Sequence, residues 1–219
     1  MGKRAAAAGR TPPRVAPDLP PAAHPLVAGL DWEAVHVTGD HTGLDASHFS
    51  VTECRITNAR FTAASLHKVH LSDCVISDSD FVGASLAELN ATRVELTRCR
   101  MSSVDVAGAH LRDVAFFDCK LDGANLRMTT WERCELVDCD LSEADLASAR
   151  LDGTRVFGCD LSSAQLSKAS LAGARLHGSR LESVKSVESL KGAVIGSDQM
   201  VPVALALLAA VGITVEDER

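Results

Sequence analysis

Every fifth residue from Val51 to Leu181 is apolar, 27 positions in succession with no insertion, and neither a regular helix nor a flat strand can use that pattern. On a helix turning about 100° per residue, a step of five advances the apolar position by about 140° and smears it around the surface. On a strand five is odd, so the apolar side chain would change faces at each repeat. The pattern works only if the chain changes direction once per repeat and keeps the same phase inside. The result is a solenoid of stacked coils around a narrow, continuous core. Sixteen of the 27 large positions are Leu and only Ala91 is small.

The residue two places before each large position is small: 10 Ala, 7 Cys, 4 Val, 2 Thr and 2 Ser, with Phe49 and Leu89 the exceptions. Oversized Leu89 precedes undersized Ala91, which holds core volume constant, as close packing requires. All seven cysteines (Cys54, Cys74, Cys99, Cys119, Cys134, Cys139, Cys159) fall in this one phase. They read as buried small hydrophobes in a reducing compartment, not as ligands or disulfides. Cys134 and Cys139 are one repeat apart, which is not the C-x-x-C spacing of a zinc or redox site. With Leu126, Trp131 and Leu146 they are expected in the core.

Segments such as Ala124-Asn125-Leu126, Ala144-Asp145-Leu146 and Ala174-Arg175-Leu176 match an A-(D/N)-L-x-x consensus, so the chain resembles the pentapeptide-repeat family. The resemblance covers residues 51–181. It implies an all-β fold, a right-handed quadrilateral β-helix with four repeats to a coil. The tail from Leu190 to Gln199, with Val211 to Val215, is similar to the C-terminal segment of fluoroquinolone-resistance members, where a capping helix joins two solenoids tip to tip. Physically, Ser197 or Asp198 can cap such a helix and Gly212 can end it. The helix is apolar nearly all round, so it has two faces to bury. Met200, Val201, Val203, Leu205, Leu207 and Leu208 are the expected homodimer interface; the alternative is a cap that buries one face and leaves the other partly wet.

Four segments follow. Residues 1–25 are an Ala/Pro/Arg-rich tail expected to be disordered. Residues 26–50 are an irregular N-terminal cap or a first imperfect coil closed by Trp32. The β-helix is expected over 51–185, and the C-terminal helical cap and dimerisation segment over 186–219. The tail has no apolar h-region and no apolar run reaches membrane-spanning length, so a cytoplasmic protein without a membrane partner is expected. The net charge of −7 argues against direct nucleic-acid binding.

Chemistry-bearing motifs are absent: there is no nucleophile elbow, no phosphate loop, no dinucleotide fingerprint and no H-E-x-x-H. His67 and His70 fall at outward positions and read as surface histidines. Asp78/Asp80 and Asp138/Asp140 straddle corners and read as solvated or turn-stabilising carboxylates. No enzyme activity, metal or cofactor is expected. Residues 112–145 carry nine acids (Asp113, Asp118, Asp122, Glu132, Glu135, Asp138, Asp140, Glu143, Asp145) against four bases, a net −5 belt near the proposed dimer junction. The family resemblance gives that belt a meaning. In the resistance members an acidic rod imitates DNA and occupies the DNA-binding saddle of a type II topoisomerase, DNA gyrase. The unbroken register resembles the loopless members, which inhibit more than they protect. Self-immunity against a topoisomerase poison shares that mechanism. The competing class is a rigid protein-interaction scaffold with no topoisomerase role, for which Phe117 and Phe157, with Val75 and Val137, would form an outward apolar stripe.

Overall fold

The computed structural model describes residues 9–23 and 31–214. The expected tail at 1–8 and 24–25, the cap residues 26–30 with Leu26 and Leu30, and Val215 lie outside the described residues. The chain forms a parallel β-solenoid. His70–Ser77 pairs with Asn90–Thr97, which pairs with His110–Phe117, each residue opposite the one 20 positions on. Isolated bridges keep that offset as far as Gln165↔Lys185. Four repeats therefore close one coil.

The change of direction has a specific source. Two residues after the large position the backbone turns left-handed, as at Asp73 (φ 51°), Asp118 (φ 54°), Asp138 (φ 54°) and Gly123 (φ 62°). One such residue per repeat re-aims the chain. This is why the Asp, Asn, Ser and Gly that tolerate the conformation accumulate there.

Both inward phases are buried. Every large position from 51 to 181 is buried except Leu71, which is half-buried, and Leu126, Trp131, Leu146, Cys134 and Cys139 are in the core as the spacing requires. Fully burying each Leu contributes roughly 1.5–3 kcal/mol. A small apolar cavity of about 40 Å³ remains in the core between Leu71 and Leu126, with Leu89 and Ala91 among its lining.

The cysteines do more than fill space. Ser79, Cys99, Cys119, Cys139, Cys159 and Ser179 stack in one column, 20 residues apart. At neighbouring corners the amide of the small residue bonds back three residues, as Ala144 does to Leu141. In the column the side chain of the next coil takes that amide instead: Ala59 N–H donates to Ser79 Oγ (3.2 Å), Cys139 N–H to Cys159 Sγ (3.4 Å) and Cys159 N–H to Ser179 Oγ (3.1 Å). A buried amide needs an acceptor there, and Ser or Cys supplies one within the volume of a small residue. Burial pushes the Cys74 and Cys134 thiols up to about 12, so they stay protonated.

Residues 31–50 are the first coil, not a separate cap. Trp32 lies opposite Val51 and Val37 opposite Ile56, an offset of 19, whereas Gly39 lies opposite Ala59, an offset of 20. The missing residue is absorbed by a bulge between Val37 and Gly39, which puts Trp32 and Val37 one residue out of phase in the sequence, whereas Leu44 and Phe49, beyond the bulge, occupy the small phase of the regular register. The coil pattern also runs past 185: Val194 pairs with Arg175, again one residue short.

A helix, α1 (Met200–Ala210), follows. Neither Ser197 nor Asp198 caps it. Gln199 stands at its N-terminus, and the buried Gln199 side chain accepts from Gly196 N–H and donates to the carbonyls of Leu176 and Ser179. One glutamine thus ties the helix to the end of the solenoid. Gly212, at φ 78°, ends the helix, as expected.

The larger departure is at the N-terminus. Residues 9–23, expected within a disordered tail, run as an extended strap along the solenoid. Arg10 pairs with Glu135, Thr11 N–H donates to Asp113, Arg14 N–H donates to Asp73, and Pro20 and Ala22 hydrogen-bond His36. Composition predicted disorder because the segment has little apolar surface; polar contacts to the solenoid order it instead.

Candidate functional site

The 20-residue coil sorts the expected acidic belt onto different faces. Asp118 and Asp138 share one column, and Asp140 and Asp160 share the column two residues on. Asp118 N–H bonds Val137 O at 3.0 Å, and Asp140 bridges Asp160 directly, so each pair stacks on adjacent coils. Neighbouring strands are about 4.8 Å apart. Two like charges at that distance repel by about 0.9 kcal/mol in water. Asp122 and Glu143 lie at the next corner, one repeat on, so Asp140 and Asp160 stand between two acidic corners; Asp122 accepts from Ser102 Oγ at 2.6 Å. Asp118, Asp138 and Glu143 are exposed; Asp122 and Asp140 are half-buried. Arg180 pairs with Asp160 at 3.1 Å, and Lys120 stands opposite Asp140 on the preceding coil.

The other belt residues do not join this corner. Asp113 is 4% exposed and Glu135 is 2% exposed, both under the strap. Asp113 pairs with Arg133, Glu132 with Arg112, and Asp145 with Arg127. Most of these pairs belong to a rule the sequence displays but that was not read from it. An acid and a base 20 residues apart become neighbours on adjacent coils, as also in Asp73/Arg93 and Asp78/Arg98. The guanidinium of the next coil holds Asp73, Asp78 and Asp113 below the ordinary carboxylate range.

The outward apolar stripe does not form. Phe117 is 7% exposed. Phe157 stacks on His177 (5.7 Å, 11°) beneath the Arg155 guanidinium. Among the described residues no group of three or more His, Cys, Asp or Glu could hold a metal ion, and no helix is long and apolar enough to cross a membrane.

The third feature is α1 itself. Val203 is half-buried and packs on the core, so it belongs to the cap and not to an outer interface; Leu208 is also half-buried. Met200 (62% exposed), Val201, Leu205 and Leu207 remain in solvent with Val211 and Ile213.

The pentapeptide-repeats profile matches in eight copies across residues 54–88, 79–116, 116–162 and 149–185. The chain belongs to the pentapeptide-repeat family. Among solved structures of this kind it is similar to full-length QnrB1, a plasmid-mediated fluoroquinolone resistance protein: 16% identity, 84% of this chain, 100% of that one, TM-score 0.37. It is also similar to HetL, a pentapeptide repeat protein involved in heterocyst differentiation regulation in the cyanobacterium Nostoc sp. strain PCC 7120 (22%, 78% and 91%, TM-score 0.27). A third is a pentapeptide repeat protein of the Arabidopsis thaliana thylakoid lumen (21%, 64% and 79%, TM-score 0.22). No curated protein matches the chain. This pentapeptide-repeat protein combines an acidic patch, a strapped face and an apolar end.

Proposed function

We propose that the protein is a non-enzymatic DNA mimic of the cytoplasm that binds a type II topoisomerase, DNA gyrase, as a homodimer joined through α1. The acidic corner carries this reading. Asp118, Asp138, Asp140 and Asp160 stack like charges in two columns, with Asp122 and Glu143 alongside. Each column puts two acids on adjacent coils, with Asp160 held by Arg180, and packing of the core does not need them, because uncharged Gly and Asn occupy the Asp118 column at Gly158 and Asn58. A cationic surface built for phosphates is complementary to such stacked carboxylates.

The apolar outer face of α1 supports the dimer, because exposed Met200, Val201, Leu205 and Leu207 form a continuous patch at the end of a rod. A two-fold axis there would place the corner on both sides of the junction. The similarity of the tail to the resistance members agrees with this arrangement.

The test is charge reversal. Asp118, Asp138 and Asp140 all changed to Lys should abolish inhibition of gyrase supercoiling while light scattering shows the dimer intact. Undiminished inhibition by that variant would remove the acidic corner from the mechanism.

A further inference from the structure

The strap fits its face in register. Thr11 N–H and Arg14 N–H, three residues apart, donate at 3.0 Å to Oδ1 of Asp113 and of Asp73, which are two coils apart. Three residues of polyproline II advance about 9.3 Å. Two coils advance about 9.6 Å. The two spacings are commensurate, so in an extended proline-bearing segment laid along the axis two amides three residues apart meet Asp113 and Asp73. Pro12, Pro13 and Pro17 lack amide hydrogens, and the amides of Thr11 and Arg14 are the two that the carboxylates receive.

The same face holds a seat for an arginine. Glu95, Ala115 and Glu135 stand side by side on three successive coils. Arg10 Nε donates to Glu135 at 3.0 Å and its Nη2 reaches Glu95 at 3.5 Å, spanning Ala115, whose lack of bulk leaves room between the two glutamates. Arg10 and Glu135 side chains are 4% and 3% exposed. Beyond this point Arg55 donates to the carbonyls of Ala16 and Pro17 at 3.2 and 2.9 Å. The fit is incomplete: Arg10 Nη1 is buried without a hydrogen-bond partner. A buried unpaired donor costs about 1–3 kcal/mol, which weakens the strap's hold on its own groove.

We propose that the face formed by Asp73, Glu95, Ala115, Asp113 and Glu135 is a recognition groove for extended, arginine-bearing proline-rich segments of a partner protein, and that residues 10–17 fill it in cis as a displaceable occupant. The carboxylates accept backbone amides at the polyproline II period, and the glutamate pair selects the arginine. This site lies on a different face from the acidic corner and stands without the topoisomerase reading.

The probe is a fluorescent peptide of residues 9–17, followed by anisotropy against full-length proteins. The double variant Arg10→Glu, Thr11→Pro weakens the cis strap by reversing the arginine and removing one amide donor. It should bind the peptide at least ten-fold tighter than the wild type does. Adding Ala115→Leu, which fills the arginine seat, should abolish binding, and so should reversing the arginine of the peptide at position 10. A strap-weakened protein with wild-type circular dichroism and melting that fails to bind the peptide would overturn the proposal. If that variant does not fold, hydrogen exchange on the wild type decides. Exchange of the Thr11 and Arg14 amides far ahead of the core amides supports a displaceable strap, whereas exchange only together with the core contradicts it.

Discussion

Trp131 is the bulkiest residue among the 27 large positions, and its position depends on one hydroxyl. Its Nε1–H donates to Thr129 Oγ1 at 2.8 Å, and that hydroxyl donates to Leu126 O at 2.7 Å, with Thr129 fully buried. Thr129→Val keeps the shape and removes both bonds. Each stranded buried group costs about 1–3 kcal/mol, so the substitution, which strands two, should destabilise by about 2–6 kcal/mol. In a Trp131→Leu background, where the repeat takes its commonest residue, the stranded indole N–H is gone. There the cost of Thr129→Val should fall by about half. The cycle is measured by urea unfolding followed by circular dichroism and by tryptophan fluorescence, whose transitions must coincide before a free energy is taken from them. Equal costs in the two backgrounds, or a cost below about 0.5 kcal/mol in the wild type, would refute the reasoning.

Leu146→Asp should abolish the fold, because the solenoid core has no partner for a buried charge; a native β-rich spectrum with cooperative melting would contradict the inward assignment. The wild type should be a dimer by light scattering at micromolar concentration and Leu205→Arg a folded monomer; a monomeric wild type would reject the α1 interface. Arg93 holds Asp73, and Arg133 holds Asp113, below the ordinary carboxylate value of 3.8. Groups with depressed values contribute stability that is present above that value and lost as pH falls through their lowered ones. The strap shares their oxygens, so the Thr11 and Arg14 amide signals should stay in the docked position at pH 5 and shift only below about 3.8. Release between pH 6 and 4.5 would assign the control to other groups.

The repeat region was legible because one periodicity fixes a solenoid: a chain with Leu at every fifth position and seven cysteines in one phase has few other ways to bury them. Coil closure at 20 residues came from the family resemblance, and the structure shows what enforces it, a left-handed residue once per repeat. The ends were less legible for physical reasons. A single missing residue moved Trp32 and Val37 out of phase, although they pair in the stack opposite Val51 and Ile56, and Leu44 and Phe49 hid the register by putting large residues in the small phase. The helix start was misplaced because Gln199 acts through an inward side chain, bonding carbonyls 20 and 23 residues back, and not as a local cap.

The acidic belt was read as a count along the chain, whereas the coil distributes neighbours in sequence over different faces. Asp113 and Glu135 are nine-tenths or more buried, while Asp118 and Asp138 are exposed. Summing charge by face hides the pairing; matching each acid to the base 20 residues away shows the Asp113/Arg133 and Asp73/Arg93 pairs. The strap had a signal as well: Thr11 and Arg14 are spaced by two prolines, at the period of the coil face they cover. That signal has meaning only once the spacing of the coils is known.

The most direct test of the functional account is titration of the purified protein into a gyrase supercoiling reaction, with and without a fluoroquinolone. The account predicts inhibition of supercoiling at low micromolar protein. Full supercoiling activity at that concentration, from a protein shown to be folded and dimeric, would contradict it.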